Sequence, residues 1–373
     1  MPTGGIPIGW LFGISLRLHY SWFFIFALVT WALSTSYFPV TYPDWSLATS
    51  VIVSLVTSLL FFASVLAHEM MHSIVARSSG IPVEAIPLFI FGGVSQITAE
   101  PAEPKTEFKI AIAGPLTSLV LGVIFICIWL VLPARFEALT AVAFWLGWIN
   151  LTLAGFNLLP GFPLDGGRVL RSILWWRSGN LRRATRWASN SGRGLGFLII
   201  FAGIWFIFTG LWFNGLWLAF IGWFLITAAG RSYQQVVLQQ MLQGHTAADV
   251  MRRDCPTVSP DISVDKLVNE HVLPSGQHCL VVAKEGHLQG LVTLQGIRAF
   301  PRWQWPQKTV AEVMTPLDQV QQVKPDDDLA SVLRILTEHN AEQLPVVEDG
   351  NIVGTIGRDN LLSFINLRDR LGM

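Results

Sequence analysis

The chain has 373 residues, of which 52% are hydrophobic and only 13% charged, with 16 Trp, 24 Phe and a mean hydropathy of +0.49. Soluble chains carry about 25% charged residues, so a wholly soluble globule is excluded. Lys plus Arg balance Asp plus Glu at 25 each, and the absence of a basic excess or an aromatic-interleaved basic stripe sets nucleic-acid binding aside.

The neutral total hides a division. Residues 1–233 hold 13 Lys and Arg against 8 Asp and Glu, and residues 234–373 hold 12 against 17. We read residues 1–233 as lipid-embedded and residues 244–373 as a water-soluble part. Apolar stretches near the length needed to cross a hydrocarbon core, about 20 residues, fall at 20–38, 47–76, 108–132, 138–159, 197–213 and 216–230. The opening nineteen residues contain one Arg, several Gly and Pro and no small-residue cleavage site, so no cleavable signal peptide is expected. With the N terminus inside, the inner connections collect Arg17, Arg77, Lys105, Lys109, Arg168, Arg171 and six further arginines, and the outer ones only Arg135. That asymmetry places the N terminus and the polar half in the cytoplasm of a cell-membrane protein. Cys127, Cys255 and Cys279 show neither zinc-ligand nor disulfide spacing, which suits a reducing compartment for the polar half.

The second span contains His68-Glu69-Met70-Met71-His72. At 3.6 residues per turn the two imidazoles share a helix face and can share one metal ion. Zinc takes neutral imidazole, and a catalytic site uses three protein ligands plus water. Glu69 then lies beside the metal, where a general base belongs. An intramembrane carboxylate is costly and points to function.

A third ligand is needed. The acidic residues of the first part besides Glu69 are Asp44, Glu84, Glu100, Glu103, Glu107, Glu137 and Asp165, and most are expected in polar connections facing water. Asp165 differs, because it ends the run from Asn157 through Pro160-Gly-Phe-Pro-Leu, where prolines break the helix and Gly166 and Gly167 permit close backbone approach. His68 precedes Arg77 by nine residues, about 13 Å of helix, and Asp165 precedes Arg168 by three, so both belong to the inner half of the bilayer. Capping of the next helix is the competing role for Asp165. The Asn157 amide can donate to an oxyanion or bond between helices.

His68-Glu69-x-x-His72 followed by Asn157-Leu-Leu-Pro-Gly-Phe-Pro-Leu-Asp165-Gly-Gly-Arg resembles the site-2 protease family of intramembrane zinc metalloproteases, in its bacterial branch with a cytoplasmic CBS pair. The resemblance implies that His68, His72 and Asp165 hold one Zn2+ per chain, that Glu69 is catalytic and that Asn157 is a polar active-site residue. It implies a membrane-anchored protein substrate, typically single-span and anti-sigma-factor-like. It also implies a substrate-aligning strand near Ile86 to Ile97, a short apolar segment able to offer a strand edge to an unwound substrate. Ala113-Gly114-Pro115 is expected to serve close helix packing.

The polar half repeats itself. Thr246-Ala-Ala-Asp-Val-Met251 returns as Thr309-Val-Ala-Glu-Val-Met314, and Cys279-Leu-Val-Val282 as Leu344-Pro-Val-Val347. Short β-branched strands alternate with helical patterns, predicting an α/β fold in units of about 244–303 and 307–370. The pair resembles tandem CBS domains, which implies regulation, often by ATP or AMP, and association into a homodimer. Where nucleotide-binding members carry the ribose-gripping Asp, this chain has Gly296 and Asn360, with Asp359 the one nearby substitute. The expected fold is therefore a polytopic α-helical membrane domain of six spans followed by a soluble α/β CBS pair. The expected activity is intramembrane zinc-dependent endoproteolysis; the alternative is a zinc-binding transporter or channel gated by CBS domains, although the spans lack the two related halves usual in transporters.

Overall fold

A computed structural model describes residues 5–83, 85–89, 92–93, 101–242, 244–253, 257–275, 279–284, 287–316, 319–339, 341, 343–348 and 351–371. The chain forms two compact units, Met1–Gln234 and Gln235–Met373.

In the first unit, strands β1 (Ile6–Leu11) and β2 (Ile14–Leu18) form an antiparallel hairpin. Helix α1 (Tyr20–Ala32) starts where His19 Nδ1 accepts the Ser21 N–H, and a π-helical turn carries it into α2 (Phe38–Thr41). The long α3 (Leu47–Ser78) is capped by Ser46 and carries the histidine motif in its C-terminal third. Strands β3 (Ala85–Phe89) and β4 (Gly92–Gly93) follow, then α4 (Pro104–Val131), α5 (Glu137–Asn157), α6 (Asp165–Ser178), α7 (Leu181–Phe208) and α8 (Trp212–Leu242).

Six helices among the described residues are long and apolar enough to cross a membrane. Their large side chains, among them Phe24, Leu59, Val131, Phe201 and Trp217, lie exposed, as lipid-facing residues must. The fifth span departs from expectation: hydropathy predicts 197–213, but α7 begins at Leu181, where the Asn180 side chain accepts the Arg183 N–H. Arginine is a good helix former, so hydropathy marks only the apolar part of a helix that starts among charges. Helices α7 and α8 meet backbone to backbone; a Cβ added to Gly203 would stand 2.6 Å from the Gly215 carbonyl oxygen, and one on Gly196 2.8 Å from that of Gly222.

The strand order is β1-β2-β3-β4, with β3 parallel to β2 and β4 antiparallel to β3. Ile14, Leu16, Leu18, Ile86 and Leu88 pack on Met70, between the two motif histidines. The sheet is thereby seated on the helix turn that bears the candidate ligands. Of the expected strand segment, Ile90, Phe91 and the stretch 94–97 lie outside the described residues.

One acidic residue overturns its expected place. Glu107 faces no water; it is fully buried in the first turns of α4 and ion-paired with Arg171 of α6, itself 4% exposed. Arg171 therefore has a role beyond that of an orientation charge.

In the second unit, β5 (Thr257–Val258), β6 (Cys279–Lys284), β7 (His287–Thr293) and β8 (Thr315–Pro316) form one sheet, and β9 (Gln343–Glu348) and β10 (Asn351–Gly357) another. The two repeats exchange their opening helices. Val310 and Val313 enter the core of Val258, Leu280 and Val292, while Ala247 enters that of Leu329, Val346 and Ile356. The exchange is hydrogen-bonded symmetrically: Ala247 N–H donates to Asp327 O at 2.8 Å and Val310 N–H to Ile262 O at 2.9 Å.

Both opening helices start with reciprocal capping, Thr246 with Asp249 and Thr309 with Glu312. The Lys308 ammonium and then the Thr309 N–H hold the Glu312 carboxyl down from its ordinary 4.5 to about 2. A depressed folded-state pKa stabilises above the unfolded value and ceases to do so as pH falls. Hydrogen-exchange protection of residues 310–314 should therefore weaken between pH 4.5 and about 2, and Glu312→Gln should flatten that dependence. Identical pH profiles in the two proteins would refute the cap's contribution.

Candidate metal centre

Two helices bring three ligand atoms together. His68 and His72 stand one turn apart on α3, and both rings are buried. Asp165 is the first residue of α6, with Leu164 in the capping position, so its carboxylate is free of the cap role and turns toward α3. Its Oδ2 lies 3.2 Å from His68 Nε2 and 3.3 Å from His72 Nε2, and the two Nε2 atoms are 3.2 Å apart. These residues form the His/Cys/Asp/Glu group that can hold a metal ion among the described residues.

The edges suit zinc. Four ligands about 2.0–2.1 Å from a tetrahedral centre are separated by about 3.3 Å. Donor chemistry points the same way. His72 Nδ1 donates to the Ile110 carbonyl at 2.7 Å, which leaves its Nε2 lone pair facing the cluster. His68 Nδ1 lies 2.9 Å from the Ser118 hydroxyl. Three electron-rich atoms in such a triangle repel one another without a cation or proton between them, so the residues present fit a divalent ion.

Local sequence explains the approach of α6. Gly166 and Gly167 are buried against the backbone of the 158–162 loop, where a Cβ would stand 2.4 Å from Leu158 O and 2.4 Å from Phe162 N. Phe162 anchors that loop on Ala188 and Ala229. With the loop wedged between α6 and α7, the start of α6 is held against the histidine-bearing part of α3.

Sequence reasoning missed three contributions, all from α4. Gly114 backs directly onto the site: a Cβ there would stand 2.2 Å from His72 Nε2 and 2.5 Å from His68 Nε2. The close helix packing expected at Gly114 is thus made against the imidazoles themselves. Ser118, four residues on and fully buried, orients His68, and the Ile110 carbonyl orients His72. The spacing 110, 114, 118 on one helix face was the available signal, but nothing local connects that face to the histidines. Asn157 closes α5, half-buried, and hydrogen-bonds none of the three ligand residues. Glu69 follows His68 and is half-buried, its carbonyl accepting from the Ser73 hydroxyl. In the second unit, Asn360 accepts the Gly357 N–H at 2.9 Å and Asp359 pairs with Arg252 at 3.7 Å.

Outer partners that fix imidazole orientation are worth about 10–100-fold in metal affinity. Ser118→Ala should accordingly lower zinc affinity by that order, with Ser118→Thr retaining most of it; competition against a fluorescent chelator measures both. Equal affinity in Ser118→Ala and wild type would remove the orienting role.

The profile of peptidase family M50 matches residues 56–134 and 133–201, and that of the CBS domain residues 247–301 and 310–367. A Synechocystis protein described as a zinc metalloprotease is 36% identical over 96% of this chain and 95% of its own length. A Mycobacterium tuberculosis protein described as zinc metalloprotease Rip3 is 34% identical over 97% of this chain and 93% of its own length. Among solved structures, the site-2 protease of Methanocaldococcus jannaschii is similar at 27% identity, covering 62% of this chain and 95% of that one with a TM-score of 0.42.

Proposed function

The chain belongs to peptidase family M50, the site-2-protease-like zinc metalloproteases with a C-terminal CBS pair, and from that premise we propose which of its residues perform intramembrane proteolysis. His68, His72 and Asp165 hold one Zn2+, Glu69 is the general base and acid, and Asn157 donates to the oxyanion. The observation that carries this reading is the convergence of three ligand atoms from α3 and α6 within 4.8 Å of one another.

When bound, zinc supplies a Lewis acid and lowers the pKa of water to about 7. Glu69 takes the proton of the attacking water and returns it to the leaving amine nitrogen. The Asn157 amide donates to the oxygen on which charge develops. Gly114, lacking a side chain, leaves room for the cation beside the Nε2 atoms. A helical substrate seals its carbonyls in hydrogen bonds, so it must unwind, and the sheet seated on Met70 offers an edge beside the site for the extended segment.

The protein is an integral multi-pass membrane enzyme. The proposed domains are 1–233 and 244–373, with the N terminus and CBS pair in the cytoplasm, where the arginine-rich connections lie. The substrate class is a membrane-anchored protein of the anti-sigma-factor kind. The CBS pair regulates cleavage through ATP or AMP and joins two chains.

Purified protein with a model single-span substrate tests the reading. Cleavage should stop with chelator, return with one equivalent of zinc, and change rate with ATP or AMP. A chelator-insensitive cut would remove the metal assignment, and identical rates with nucleotide would remove the nucleotide role.

A further inference from the structure

Every ligand of the centre is referenced to one face of α4. Residues 107, 110, 114 and 118 recur at intervals of three and four, so they line a single stripe of that helix. Ser118 meets His68, the Ile110 carbonyl meets His72, and Gly114 backs onto both Nε2 atoms. The stripe ends at Glu107, which meets Arg171 of α6, the helix that carries Asp165.

We propose that the buried Glu107–Arg171 pair is a positioning clamp, setting the rotation of α6 so that Asp165 stands on the histidine pair. The proposal rests on the zinc reading above. Arg171 Nε donates to Glu107 Oε1 at 2.6 Å and Nη2 pairs with the same oxygen, while the guanidinium lies 5.2 Å from the Phe162 ring centroid. Phe162 belongs to the loop that delivers Asp165, so Arg171 holds that loop and α4 at once. Six residues separate Asp165 from Arg171, about 9 Å along α6. Asp165 sits at the helix start beside the packed glycines, and Arg171 fixes the same helix more than a turn further along. A turn of about 20° about the α6 axis would move the carboxylate on the order of 2 Å, enough to lose both 3.2–3.3 Å approaches.

Stability is a poor reason for such a pair. Desolvating two charges offsets most of their attraction, and apolar replacements of similar volume are often neutral or stabilising. The planar fork of Arg, by contrast, constrains direction as well as distance, which is what a rotational stop requires.

The test uses the full chain, zinc-loaded in detergent. The double variant Glu107→Leu/Arg171→Met removes both charges and leaves neither buried alone; Arg171→Lys keeps the charge and loses the fork. Circular dichroism and size exclusion report folding, zinc release to excess chelator reports the centre, and the visible absorption of the Co2+ form reports its geometry. The double variant should fold, release zinc about 10–100-fold faster and show an altered Co2+ band; Arg171→Lys should be faster than wild type by several-fold. A folded double variant releasing zinc at the wild-type rate with an unchanged band would overturn the clamp. Should that variant not fold, a wild-type release rate in Arg171→Lys would overturn it equally. A wild-type chain that binds no zinc would instead overturn the underlying metal reading, so the two failures are distinct.

Discussion

Replacing Glu69 by Gln is expected to lower the cleavage rate of a single-span substrate by roughly 10²–10⁴-fold, the usual contribution of a positioned general base, while one zinc per chain remains bound. Glu69 follows His68 but is not one of the three residues whose ligand atoms converge, which are His68, His72 and Asp165. The substitution keeps shape and removes the proton acceptor, so metal content and catalysis should part company. Metal analysis and cleavage on the same preparation decide the matter. Loss of zinc in parallel with activity would make Glu69 a ligand or a structural residue, and unchanged cleavage would move the base elsewhere.

A single methyl group at position 114 is expected to do what Glu69→Gln does not, namely empty the metal site. In Gly114→Ala the new carbon would stand 2.2 Å from His72 Nε2, 2.5 Å from His68 Nε2 and 2.7 Å from His72 Cε1. Those rings are buried and held from behind by Ile110 and Ser118, so they have little freedom to retreat. Both zinc and cleavage should fall below detection. Gly155→Ala is the matched control, since nothing lies within 4 Å of its added carbon; in the last turn of α5 the exchange should stabilise by less than about 1 kcal/mol and leave zinc in place. Full zinc content in Gly114→Ala would mean that α4 can move away from the histidines and that this packing is not decisive.

Much of the site was legible in the chain because its chemistry is local. The histidine spacing implies a shared helix face from helix geometry alone, and a carboxylate after a proline-broken, glycine-rich turn stands out where charges are few. The six spans follow from the length of apolar runs, although α7 shows the limit of that signal, since hydropathy cannot mark where a helix begins among arginines. The CBS resemblance likewise came from repeated segments readable one after another. Their exchange was not readable, because Ala247 and Val310 carry no mark of which core they enter.

Spacing, apolar length and repetition within the chain were enough for the membrane class, the histidine motif and the paired soluble module, because each is expressed among near neighbours, whereas the meeting of Asp165 with His68, 97 positions away, is a product of packing. Packing alone decided that Gly114 faces the imidazoles, that Ser118 and Ile110 orient them, and that Glu107 and Arg171 join two helices in a dry interior. Those partners lie 38 to 64 positions apart, and no periodicity carries information across such a gap. The same Glu107 reads as a solvated charge until the opposite helix is seen to meet it.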